Sequence, residues 1–307
     1  MQTAIAVALV FTCAFGLVAP AVARRVVPSA ATWMLTIGGV LAALTGVLVL
    51  ALLAATVVGQ NDEVAHYGHW SIAALRRADP VARPVAFAAL ILCAVLCARA
   101  ALTFSRRARA LRVAHRACHG LQEYAGFVVL PDTAADAYAL PGRPGRVVVT
   151  RGMLRALRVD ERRALLAHER SHLRHNHHWH VTVIGVAAAM NPLLVCLPRA
   201  TQYAIERWAD EDAAREVPRV TAARALSQAA AASAPRIARP RASLAAVSTA
   251  VAARIDALQE GPVRPRPLLL ACALATVVAA VVAAVVAAEQ TAVLFASAMQ
   301  AAGGGAG

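Results

Sequence analysis

Lysine does not occur in this chain of 307 residues, and all 31 basic side chains are arginine. Such a bias, in a sequence very rich in alanine, follows genome composition as readily as selection for an anionic partner. The formal charge of +14 therefore does not by itself indicate nucleic acid. Aromatic residues make up only 5% and are not interleaved with the arginines, and no nucleic-acid-binding module is recognisable, so direct nucleic-acid binding is set aside. The six cysteines, Cys13, Cys93, Cys97, Cys118, Cys196 and Cys272, are scattered, mostly inside apolar stretches. They show no paired-ligand spacing and read as small packing residues. Charged residues are scarce at 16%, whereas 59% are hydrophobic and the mean hydropathy is +0.58. That excludes an ordinary soluble domain and implies an integral membrane protein with several spans.

The spans can be placed. Residues 2–23 form an apolar run ending at Arg24-Arg25, long enough for a hydrocarbon core of about 30 Å. Ala21-Val22-Ala23 fits a small-x-small cleavage site, but the positively charged start of a signal peptide is missing, so we read a retained span. Residues 32–58 are a second span, with Gly38-Gly39 and Gly46 permitting close helix contact. Residues 59–83, with Asn61, Asp62, Glu63, His66, His69, Trp70 and Arg76-Arg77, read as a short loop with an interfacial helix. Residues 84–104 are a third span, followed by the densest basic run of the chain: Arg106, Arg107, Arg109, Arg112 and Arg116. By the positive-inside rule this run is cytoplasmic, which puts the N-terminus outside and Arg24-Arg25 inside.

The chain thus divides into a three-helix membrane region (1–104), a cytoplasmic domain (105–264), a fourth span (265–290, with its apolar run at 267–288) and a short flexible tail (291–307). The expected fold is mainly α, with about four transmembrane helices in a plasma or bacterial inner membrane. Within the domain, Gly126 to Leu130 and Arg146 to Thr150 read as short strands, Pro141 to Gly145 as the turn into the second. A free edge of that small sheet is able to hold a substrate strand. Residues 219–260 read as helical, broken from the last span by Gly261 to Pro267.

The chemistry sits in Leu165-Leu166-Ala167-His168-Glu169-Arg170-Ser171-His172. On a helix, His168 and His172 share a face and can offer ring nitrogens to one Zn²⁺, while Glu169, one step round, is placed to act as general base on a water. Asp160 is the expected N-cap of a helix over roughly 161–178. A basic, histidine-bearing surface helix that binds metal adventitiously would carry the same five residues. What separates the two readings is a third ligand, since catalytic zinc takes three protein groups and leaves one position open.

His178 lies ten residues after His168, the metzincin spacing, but that pattern needs a glycine where His175 stands. Glu206 heads an acidic helical stretch in which Asp210 follows one turn on, able to hydrogen-bond a ligand histidine. We take Glu206 as the ligand. The choice constrains the apolar run 181–198: a single crossing would put Glu206 and His168 on opposite sides of the membrane. The run must turn back, and Asn191-Pro192 is the place.

His168-Glu169-x-x-His172 followed by Glu206-x-x-x-Asp210 resembles the membrane-embedded gluzincin peptidases of HtpX type, CAAX-prenyl-protease type and BlaR/MecR antirepressor type. The run from Ala139-Leu140-Pro141-Gly142 through Val147 to Leu154 is similar to the strand pair that precedes their zinc helix. Three spans before the zinc domain and one after it resemble the BlaR/MecR type most, without its penicillin-binding sensor. That resemblance implies a zinc endopeptidase acting on a cytoplasmic or membrane-proximal protein, with a BlaI/MecI-type transcriptional repressor as candidate substrate. Alternatives are an HtpX-like quality-control protease and a metal-binding membrane adaptor without turnover. The sequence assigns no oligomeric state and no oxyanion-stabilising group, although His175, His178, Tyr203 and Arg207 are near.

Overall fold

A computed structural model describes residues 1–79, 81–117, 123–124, 127–233 and 241–303. Along the chain lie α1 (Gln2–Arg25), α2 (Pro28–Val58), α3 (Asp62–Gly68), α4 (Ile72–Ala78) and α5 (Arg83–Ala117), then β1 (Glu123–Tyr124), β2 (Phe127–Leu130), β3 (Ala137–Leu140) and β4 (Arg146–Thr150). They are followed by α6 (Arg151–Ala156), α7 (Val159–Arg174), α8 (His177–Met190), α9 (Leu197–Glu216), α10 (Arg219–Ala232), α11 (Arg241–Glu260) and α12 (Pro267–Gly303). Four helices, α1, α2, α5 and α12, are long and apolar enough to cross a membrane, so the fold is that of a predominantly helical, multi-pass membrane protein.

Small residues let these helices approach. A Cβ on Gly38 would fall 2.6 Å from the Phe15 ring, and one on Gly39 would fall 2.7 Å from Ile184 and Leu197. The resulting core joins α1, α2 and α12 to α8 and α9 through Phe15, Leu35, Ile184, Leu197, Ala204 and Val277. Backbone ends are closed locally: Asn61 Oδ1 accepts from Glu63 and Val64 to start α3, and Thr150 Oγ1 accepts from Met153 to start α6.

The expected return of the chain after residue 181 is made at Asn191. Its Nδ2 donates to the Ala42 carbonyl at 3.1 Å and its Oδ1 accepts from Leu193 at 3.0 Å, while Pro192 opens a single 3-10 turn before α9. Gly46 leaves room for this amide, since a Cβ there would lie 2.5 Å from Nδ2.

The sheet has the order β1-β2-β4-β3, with β2 parallel to β4 and β3 antiparallel to β4. Val147, Val148 and Val149 are buried, and β3 is left as an edge. Residues 141–145 link β3 to β4 as the turn signals predict, and β1 and β3 add to the two strands read from the sequence.

Several boundaries differ from expectation. Helix α7, which carries His168 and His172, spans Val159–Arg174 rather than 161–178, and Asp160 is not its N-cap. The cap position is Arg158, whose N–H donates to Glu161 Oε2 at 2.9 Å, so the acid three residues on satisfies it. The helix stops because Asn176 takes a left-handed conformation at φ 52°, which asparagine tolerates better than other residues with a Cβ. The fourth span does not give way to a flexible tail at 291: α12 runs to Gly303, because Glu289-Gln290 and the Ala-rich residues after them are good helix formers. Helix α5 carries the chain through residue 104 without a break. Gly126, Cys118, residues 234–240 and residues 304–307, all within the sequence assignments above, lie outside the described residues.

The buried Asn191 amide predicts a clear cost for its removal. Asn191→Ala should lower stability by about 1–3 kcal/mol, because the Ala42 carbonyl and the Leu193 N–H lose their partner. Denaturation of the purified protein in detergent measures it.

Candidate metal centre

Two helices bring the site together. Helix α7 presents His168 and His172 one turn apart, and α9, returning from the Asn191 turn, presents Glu206 against them. His168 Nε2 lies 3.5 Å from Glu206 Oε2 and 3.1 Å from His172 Nε2. One ligand atom from each of the three residues fits within 4.8 Å of the others, and among the described residues this is the only such cluster. His178 has no part in it. The turn at Asn176 starts α8 in a new direction and leaves His178 on that helix.

The outer nitrogens of both histidines are engaged. His168 Nδ1 is 3.1 Å from Asp210 Oδ1, and His172 Nδ1 is 2.9 Å from Nδ1 of His177, the first residue of α8. Of two facing Nδ1 atoms only one carries the proton. With the proton on His172, its Nε2 keeps a lone pair directed at the cluster, the tautomer a metal ligand needs. Two imidazole nitrogens and one carboxylate oxygen, with the other ring nitrogens held from behind, fit Zn²⁺ in type and number.

Asp210 and Glu206 are themselves clamped. Arg254, from α11, donates to both Asp210 oxygens at 2.7 Å and reaches Glu206 Oε2 at 3.1 Å. Gln202 Nε2 donates to the other Glu206 oxygen at 2.5 Å. Burial alone would raise the pKa of both carboxyls. For Glu206 the His168 contact and the Arg254 charge outweigh it, and for Asp210 the Arg254 and His168 hydrogen bonds do, so both are held below the usual range. His168 shows the reciprocal effect: burial opposes its charge, but Asp210 and Glu206 prevail and hold its pKa near 10. His172, buried and beside a charged His168, is pushed down to about 4.

Glu169 is 8% exposed, beside the edge strand β3, where the Ala139 backbone N–H favours its charged form. Burial is the larger influence and raises its pKa, which moves the carboxylate toward the range of a working general base. Around this group the structure fixes side chains whose roles the sequence left open. His175 Nε2 donates to Asp212 Oδ2 at 2.9 Å and its ring stacks on Trp208, and buried Arg207 donates to the Arg24 carbonyl at 3.0 Å. Both are committed to support.

Sequence reasoning missed His177 and Arg254. His177 was one of a run of histidines with nothing to rank it, and Arg254 stood alone in an alanine-rich helix 44 residues from its partner Asp210.

Residues 101–189 match the sequence model of Peptidase family M48. That segment resembles an M48 peptidase domain. The match takes in α7 with His168, Glu169 and His172, and covers the membrane zinc metallopeptidases of BlaR and HtpX type that the motif resembles. It ends before α9, so Glu206 and Asp210 rest on geometry. No curated protein and no solved structure matches the chain.

Two measurements follow from the proton arrangement. A metal ion at His168 must displace the proton that Asp210 and Glu206 favour there, so apparent zinc affinity should tighten with rising pH by about tenfold per unit below the pKa of about 10. Competition against a chelator at several pH values reads this out. His177→Phe removes the brace on His172 Nδ1 and should weaken zinc about 10–100-fold.

Proposed function

We propose that this protein is an M48-type, zinc-dependent endopeptidase with an HExxH gluzincin site, working at the membrane surface. The observation that carries the reading is the convergence of His168, His172 and Glu206, with Glu169 beside them and each ligand held from behind. Zn²⁺ held by these three residues supplies Lewis acidity, lowering the pKa of water and polarising the scissile carbonyl.

The chain's own residues do the rest. Glu169 takes a proton from the attacking water as its oxygen bonds the carbonyl carbon, then delivers that proton to the amine as the C–N bond breaks. Its buried setting keeps the proton close and excludes bulk water. Asp210 orients His168, and Arg254 keeps both acids ionised. The exposed edge of β3, next to Glu169, offers main-chain groups for pairing with an extended substrate segment.

The arginines flanking the spans support a cytoplasmic catalytic domain: Arg24-Arg25 ends α1, and Arg106, Arg107, Arg109 and Arg112 lie on α5 beyond its apolar part. The substrate is then a cytoplasmic or membrane-proximal protein, and the BlaR/MecR resemblance makes a transcriptional repressor of BlaI/MecI type the first to test.

Glu169→Gln in the purified full-length protein should lower cleavage of a casein-type or repressor substrate by about 10²–10⁴-fold. Zinc content, measured by elemental analysis, should stay at the parent level. Unchanged activity of a cellular target in the same variant would instead identify a metal-holding adaptor and end the protease reading.

A further inference from the structure

Away from the metal centre, α2, α5 and α8 enclose an apolar groove of about 230 Å³ lined by Leu44, Phe104, Trp179, Val183, Val186 and Met190, among others. Its mouth is exposed: Trp179 and Phe104 are 58% and 53% accessible. Next to it the half-buried guanidinium of Arg107 lies against α8, so close to Gly185 that a Cβ there would be 2.6 Å from a guanidinium nitrogen. Arg107 forms no ion pair with any described residue, and neither do Arg106, Arg109 and Arg112 on the same helix. An apolar slot and an uncompensated cation thus share one seam, at the end of a span, with a tryptophan at its rim.

We propose that this seam binds one anionic phospholipid, with an acyl chain in the groove and the phosphate on Arg107. The size of the groove selects the occupant. A transmembrane helix about 10 Å across does not enter a cavity smaller than a usual drug-sized pocket, whereas a single acyl chain does. Arg107, with no acidic partner among the described residues, selects the headgroup, since a zwitterionic lipid gives it less. Occupancy ties α5 to α8, the helix whose first residue braces His172. The site stands on its own residues and does not depend on proteolysis.

The test uses the purified full-length protein in lipid nanodiscs and reads Trp179 fluorescence. Phosphatidylglycerol brominated in its acyl chains is compared with phosphatidylcholine brominated in the same way. Trp179→Phe gives the background from Trp33, Trp70 and Trp208. The expected result is stronger Trp179 quenching by the brominated phosphatidylglycerol, reversed by unlabelled phosphatidylglycerol. Arg107→Gln should weaken the preference about fivefold, and Val183→Phe, which fills the groove without adding a tryptophan, should remove it; unchanged circular dichroism and gel-filtration behaviour show that both variants are folded. Equal quenching by the two lipids means ordinary surrounding lipid and overturns the proposal. Reversal by inorganic phosphate marks a free-phosphate site, and reversal by an added transmembrane peptide but not by unlabelled phosphatidylglycerol marks a protein-docking surface. Either result also overturns it.

Discussion

Arg254 holds the candidate metal site in register. Its guanidinium spans Asp210 and Glu206, two acids one turn apart on α9 that would repel each other and resist burial without it. Those acids in turn hold His168, the first histidine of the cluster on α7. Three helices far apart in sequence are therefore joined by one network of charge, and each member is satisfied by the next. The price of burying so many ionisable groups is met only because the network is nearly closed. This is why the site is built on helices packed at both ends rather than on loops.

The second constraint is topological. Glu206 can share a metal with His168 only if the chain between them returns to the same level, and Asn191 makes that return possible inside apolar surroundings. Its amide takes over two backbone groups that no water would satisfy there, the Ala42 carbonyl and the Leu193 N–H. The glycines of α2 are the other half of the arrangement, because they let α8 and α9 settle against a span at close range.

Much of this was legible in the residues. The long apolar helices followed from hydropathy, the shared face of His168 and His172 from helical spacing, and the hairpin from the requirement that Glu206 reach His168. What stayed hidden depends on contacts between distant segments. Nothing local distinguishes Arg254 from other arginines in alanine-rich helices, or His177 from its neighbours His175 and His178. The misplaced N-cap has a local cause: Asp160 is a good capping residue by type, yet Glu161 reaches back to the Arg158 N–H and shifts the start. The end of α7 turned on Asn176, whose tolerance for a positive φ is weaker than that of glycine and easily overlooked. Helix α12 continues past residue 290 because the polar pair Glu289-Gln290 ends the apolar run without breaking the helix.

Helix α9 has one further property. Its first half, Leu197 to Ala204, is packed among the spans, and its second half carries Glu206, Asp210 and Asp212. Over 20 residues it is a strut about 30 Å long with no interior proline to absorb bending. Arg207 also fastens it to the final turn of α1 through the Arg24 carbonyl. The carboxylates are thus mounted on the same unbroken rod that is seated among the spans, so no loop intervenes between the bilayer-embedded bundle and the acidic end of the cluster.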